Sequence, residues 1–343
     1  MKKYWLHFSI LFAVLIAAGA VVLITLSNPE SSQVTLSSHP KPKTDTPTKG
    51  SKTLSFTIGG DVMTGRAVAW KFHNDVTQAF ENLGQGVFSN QTLDIVNLEG
   101  PISSTDFQAN PTPDNLIFNF PPQTIDALKY LGVNAVSQAN NHSFNQGKAG
   151  FEETKKLLED AKITPIGSQT EYDISRFGSG AKKLSIITIN LLEDHSDFTG
   201  IIADEKKAGN IVLVFPHWGS EYEETHNQSQ ANAAHSWIDA GADIIIGSHP
   251  HVVQDAEIYN SKPIIYSLGN LIFDQTFSTP TQEGLIVKGS IVDKNLTLEF
   301  LPTKIKNYQV QLKDGEEKSQ AIQKLLENIP AKYLKDNKIV LNL

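Results

Sequence analysis

Six short polar motifs, each placed where an apolar strand-like run ends, constrain this chain more than any other feature. In order they are Gly59-Gly60-Asp61, Asn97-Leu98-Glu99, Asn140-Asn141-His142, Pro216-His217-Trp218-Gly219, Gly247-Ser248-His249-Pro250-His251 and Ser267-Leu268-Gly269-Asn270. The runs before them are LSFTI, LDIV, VNAVSQA, IVLVF, DIIIG and PIIY. Ligands in open α/β sheets collect outside the carboxyl ends of the strands. The pattern therefore predicts that Asp61, Glu99, Asn141, His142, His217, His249 and His251 meet on one edge of one sheet. Imidazole, carboxylate and amide oxygen form a borderline-hard ligand set, suited to Mn, Fe or Zn without distinguishing among them. One or two divalent ions are expected.

Taken singly, each motif is weaker. An Asp after a strand is most often a turn residue or a helix cap. Glu99-Gly100-Pro101 alone reads as a turn, and Asn140-Asn141 as left-handed turn chemistry. A straight strand would aim the two imidazoles of His249-Pro250-His251 to opposite sides. The proline between them predicts a loop instead, where both rings can turn to one site. It is the conjunction that points to a metal: four of the ten histidines follow strand-like runs.

The run from Phe8 to Leu26 carries no charge and approaches the roughly 20 residues that span a bilayer. Lys2 and Lys3 precede it, which predicts a cytoplasmic N-terminus and an extracytoplasmic main domain. A cleaved signal peptide is the alternative, with Ala17-Ala18-Gly19-Ala20 as the cleavage region. The apolar run continues past that point, so a single uncleaved membrane anchor over 1–26 is the preferred reading. Residues 27–52 are rich in Ser, Thr, Pro and Lys and read as a disordered tether. Residues 53–343 read as one domain. With no cysteine, neither disulfides nor thiolate ligands contribute, and the core must stabilise the fold. The net charge of -8 and the absence of a long basic run argue against a nucleic-acid partner.

Strands are expected at 54–59, 93–98, 134–138, 164–167, 184–190, 211–215, 243–246 and 264–267. Helices are expected at 66–83, 122–131, 148–160, 228–240 and 320–327, the last capped by Ser319. A surface loop is expected at 103–115, and a late hairpin joins 285–291 to 296–301. Strands alternate with helices early and follow one another late. That order predicts an α/β fold, a sandwich of two mixed sheets flanked by helices.

These six motifs, in this order, resemble the CapA/PgsA family of bacterial capsule proteins, within the calcineurin-like metallophosphoesterase superfamily. The resemblance covers about 54–301. It implies a four-layer α/β/β/α sandwich behind a single N-terminal transmembrane helix. It also implies a role in synthesis or export of poly-γ-glutamate at the cell membrane. Expected partners are the bilayer, the anionic polymer, and the ligase and membrane subunits of the same machinery. The wider superfamily usually has Asp-x-His in its first motif, where this chain has Met63, and an Asp in its second, where this chain has Glu99. Met63 is a poor ligand for hard ions. On this resemblance one position would keep Glu99, Asn141, His217 and His249, and a weakened one Asp61, Glu99 and His251.

If the chain is an enzyme, it is a metal-dependent phosphoester hydrolase. Two ions about 4 Å apart can clamp a phosphate and activate a bridging water. His142 would then act as general acid or charge stabiliser. Arg66 could meet an anionic group, and Trp218, Glu221 and Tyr222 could line the pocket. The alternative is an accessory subunit whose domain binds polymer or partners, through metal-bridged carboxylates.

Overall fold

The computed structural model describes residues 53–89, 92–103, 116–179 and 181–343. The expected anchor, the tether and most of the 103–115 loop lie outside the described residues. Among the described residues, no helix is long and apolar enough to cross a membrane.

The chain begins in one sheet, crosses to a second, and returns. β1 (Thr53–Val62), β2 (Leu93–Leu98), β3 (Ala135–Ser137) and β4 (Thr164–Ile166) lie side by side and parallel. The second sheet then forms from β5 (Asp173–Phe177), β6 (Leu184–Asn190), β7 (Ile211–His217), β8 (Ile244–Ile246), β9 (Ala256–Tyr259) and β10 (Lys262–Ile265). Its order is β5-β6-β7-β8-β10-β9, parallel in the middle and antiparallel at both edges. β11 (Asn270–Ile272), β12 (Glu283–Val292), β13 (Asn295–Lys306), β14 (Gln309–Leu312), β15 (Leu334–Lys335) and β16 (Lys338–Asn342) return to the first sheet. β12 pairs antiparallel with β1, so both sheets are mixed. The expected late hairpin is the β12–β13 pair, with Val292 opposite Asn295.

Alternate residues of the apolar strands feed different cores, as the period of two requires. Ile95 of β2, Ile186 of β6, Leu213 of β7 and Ile246 of β8 meet in a core between the two sheets. Val96 faces the other way, into a core with α1 (Arg66–Lys71) and α2 (Thr124–Leu131). That core also takes Leu158 of α3 (Gly147–Asp160). Ile187, Val212, Val214 and Ile245 face outward from the second sheet, beneath α4 (Thr199–Lys207) and α5 (Gln228–Ala240). Strands covered on both faces read as continuous apolar runs, which is why these segments were plain in the sequence.

Three expectations need correction. The helix expected over 66–83 stops at Lys71. His73 and Asn74 take left-handed φ values of 49° and 70°, and a short 3-10 turn follows at Val76–Phe80. Ser319 caps nothing: α6 (Gly315–Leu326) starts four residues earlier behind Asp314, and the Ser319 hydroxyl donates to the Gly315 carbonyl. Glu316 and Glu317 in the first turn favour that earlier start. Finally, the six motifs do not share one sheet. Those at the ends of β1, β2 and β3 belong to the first sheet, and those at the ends of β7, β8 and β10 to the second.

Candidate metal centre

The two sets of strand ends meet at the same end of the sandwich. Asp61 Oδ1 accepts a hydrogen bond from Asn97 Nδ2 at 2.8 Å, so β1 and β2 are tied one residue before their ends. The same amide lies 3.3 Å from Glu99 Oε2 and 3.3 Å from His217 Nδ1, joining β2 to β7 across the sheets. Ligand atoms of Asp61, Glu99 and His217, all buried, lie within 4.8 Å of one another. Those of Glu221, His249 and His251 form a second group, also within 4.8 Å of one another.

The backbone explains the convergence. β1 slips register between Ile58 and Asp61, at Gly59-Gly60. A Cβ on Gly60 would overlap the Gly269 carbonyl, so only glycine lets β1 pass that loop. His249 and His251 have φ values of 99° and 59°. Left-handed backbone in non-glycine residues is costly and gathers at functional sites. Here it turns both rings inward from the Pro250 loop, as the sequence led us to expect.

Within the cluster, His217 Nε2 lies 2.9 Å from Asn141 Oδ1 and 3.1 Å from His249 Nδ1. Ser248 Oγ sits 3.1 Å from His217 Nδ1, leaving Nε2 facing the centre. The His249 backbone N–H donates to Asp61 Oδ2 at 3.2 Å. His251 Nδ1 lies 3.0 Å from Asn270 Oδ1, and its Nε2 lies 3.4 Å from Glu99 Oε1. Burial, reinforced by the neighbouring histidines, holds His217 well below the usual imidazole range. Burial and the His251 charge push His249 down to about 3. Burial also pulls on His251, but Glu99 and Asp61 outweigh it and push that ring up to about 9. Burial raises the Glu99 carboxyl well above the ordinary range, against the pull of His251.

This donor set fits a divalent cation. Glu99 Oε1 is buried and accepts no hydrogen bond. His217 and His249 are held neutral, the form in which imidazole ligates. Asp61, Glu99, Asn141, His217, His249 and His251 would between them hold one or two such ions.

The other expected residues divide. His142 stands at the wall, stacked on Phe118 with ring centroids 4.0 Å apart. Asn145 Oδ1 accepts from the Phe118 N–H at 2.7 Å and lies 2.9 Å from His142 Nδ1. An oxygen there can only accept, so Nδ1 carries the hydrogen and Nε2 is left with a lone pair. Burial also lowers the ring from its ordinary value. At rest the ring is thus neutral, with Nε2 able to accept a hydrogen bond or a proton. Arg66 is 5% exposed and paired with Asp274, its guanidinium 4.8 Å from the Phe118 centroid. It therefore reaches the wall already neutralised. Trp218 does not line the site. It is buried on the far face of the second sheet, stacked 5.5 Å from Trp237, and donates to the Tyr266 carbonyl at 2.8 Å. Met63 is likewise core, packed beneath the helices of the first sheet.

Asn97, Asn140, Ser248 and Asn270 were in the motifs but not singled out. Asn140 Nδ2 donates to Asn97 Oδ1 at 3.0 Å and to the Leu98 carbonyl at 2.8 Å. The period of two places Asn97 and Glu99 on one side of β2, which was the available signal.

A two-sheet α/β domain with histidines and carboxylates gathered at its strand ends defines the class of candidate metal-binding proteins. The sequence matches the model of the family "Bacterial capsule synthesis protein PGA_cap" over residues 55–193 and 178–275. The chain belongs to this family, the CapA/PgsA family. It is 30% identical over 291 residues to the PGA biosynthesis protein CapA of Bacillus subtilis, covering 77% of this chain and 75% of that one. It is 27% identical over 280 residues to the capsule biosynthesis protein CapA of Bacillus anthracis, covering 74% and 67%. A probable polyglutamine synthesis accessory protein of Mycobacterium tuberculosis is 26% identical over 221 residues, covering 55% and 58%.

Proposed function

We propose that this chain is an accessory protein of capsule synthesis, acting on poly-γ-glutamate or its assembly through a divalent-metal centre. The uncharged run Phe8–Leu26 would anchor it, with the domain outside the membrane beside the polymer ligase and membrane subunits. The relatives named for capsule and polyglutamate biosynthesis support the role. The observation that carries the metal is the convergence of Asp61, Glu99 and His217 within 4.8 Å, in a buried position where Glu99 Oε1 accepts no hydrogen bond. A cation held there would supply Lewis-acid charge toward an anionic group such as a carboxylate or phosphate. The chain's own residues would hold the ion in place: Asn97 fixes the carboxylates of Asp61 and Glu99.

A second reading, metal-dependent phosphoester hydrolysis, is favoured by His142, since a neutral ring with a free lone pair can take a proton. A strain that depends on this chain for its polymer separates the two. The double variant His217→Ala/His249→Ala should abolish polymer output, whereas His142→Gln should leave it near wild type if the role is accessory. Unchanged output from the double variant would remove the metal from the function. Loss of output with His142→Gln, from a protein of normal abundance, would favour hydrolysis.

A further inference from the structure

We infer that Glu221 is a metal ligand, which with His249 and His251 forms a second, solvent-facing cation position beside the buried one. The inference rests on the metal-dependent reading above and extends it to a residue first assigned to the pocket lining. Ligand atoms of Glu221, His249 and His251 lie within 4.8 Å of one another. Of the six residues in the two groups, Glu221 alone is exposed, with 43% of its side chain open to solvent. Its Oε1 lies 4.0 Å from His251 Nε2. That spacing is too long for a hydrogen bond and leaves room for an ion contacted by both.

An exposed acid near an imidazole is common, so what matters is how Glu221 is held. A row of hydrogen-bonded side chains runs behind it, from Tyr222 to His251. Burial and the neighbouring Glu221 charge push the Tyr222 hydroxyl above its ordinary range. Gln275 Nε2 donates to the Tyr222 oxygen at 3.2 Å, and Gln275 Oε1 accepts from Asn270 Nδ2 at 3.0 Å. Asn270 Oδ1 in turn meets His251 Nδ1 at 3.0 Å. Tyr222, Gln275 and Asn270 thus link the Glu221 loop to His251 and fix which nitrogen of that ring faces the carboxylate. Partners of this kind behind metal ligands set ring orientation and affinity. The backbone agrees: Tyr222 adopts φ 67°, and its N–H donates to the Pro250 carbonyl at 2.8 Å, between the two histidines. The loop bearing Glu221 is pinned to the loop bearing His249 and His251. Phe277 packs edge-on against the Tyr222 ring at 5.2 Å and shields it from the side. Glu221 is a ligand at the rim, and its ion exchanges more readily than the buried one.

The test is titration of the full-length, detergent-solubilised, chelator-stripped protein with Mn2+, with bound ion counted by elemental analysis. Wild type should take up about two ions. Glu221→Gln should keep one at unchanged affinity, while the other weakens by about tenfold or more. Tyr222→Phe should weaken that same ion to a smaller degree, and Glu223→Gln should change nothing. Matching metal-free melting temperatures would show that the variants fold. Two ions in Glu221→Gln at wild-type affinity would overturn the assignment. One ion in wild type and the same one in Glu221→Gln would make Glu221 a mere counter-charge to His251, leaving the metal-dependent reading intact. No ion in wild type would overturn both.

Discussion

At the scale of single residues, the centre depends on Asn97. Its one amide touches Asp61, Glu99 and His217. Asn97→Ala should weaken metal binding about tenfold or more. It should also cost about 1–3 kcal/mol of folding stability, because two buried carboxylates lose a donor; metal titration and urea unfolding would show both. Protons compete with the metal here. The metal-free His251 ring, pushed up to about 9, holds a proton at neutral pH that an ion must displace. Loading at pH 7 should therefore release a proton, and affinity should rise with pH to about 9. Calorimetry in two buffers of different ionisation enthalpy measures that release. The same groups set metal-free stability. His249 sits near 3 when folded against an ordinary 6.5, so below pH 6.5 the unfolded chain gains protons that the folded one refuses. The favourable contribution of His251 is complete below 6.5 and fades as pH rises through 9. Metal-free stability from these two groups should thus peak near pH 6.5 and fall on both sides, which thermal melts across pH would record.

At the scale of elements, the placement of Gly60 is the point most open to test. Gly60→Ala would drive a methyl into the Gly269 carbonyl. The strand end bearing Asp61 would have to shift from the loop before β11, costing about 1–3 kcal/mol and weakening metal binding. Wild-type melting and affinity in this variant would show that the close approach does not hold Asp61. Much at this scale was legible beforehand. β2, β6 and α5 have the bounds that periodicity and apolar runs suggested. What escaped notice had no such signature. β5 is only half-buried throughout, and β11 is three residues long, starting at the last residue of the sixth motif. The helix break after α1 rests on left-handed His73 and Asn74, which hydrophobic pattern does not report. The site was legible as a set of motifs because each follows a buried strand. Its division between sheets was not, since that depends on pairing distant in sequence. Nor was the direction of Trp218, since one residue past a strand end decides between the site and the outer core.

At the scale of the whole molecule, the centre lies where the two sheets meet. Asp61 and Glu99 come from the first sheet, and His217 and His249 follow strands of the second. An ion bound by both should clamp the sandwich. At an ion concentration of 100 times the dissociation constant, linkage adds about 2.7 kcal/mol. For a domain of this size that raises the melting temperature by roughly 5–10 °C, and a chelator should reverse it. The most direct measurement is elemental analysis of the full-length protein, purified without chelators, beside His217→Ala/His249→Ala. The account predicts about one or two transition-metal ions per chain in wild type and a loss of most of that metal in the double variant. Wild-type protein that stays metal-free after incubation with Mn2+ or Zn2+ would contradict it.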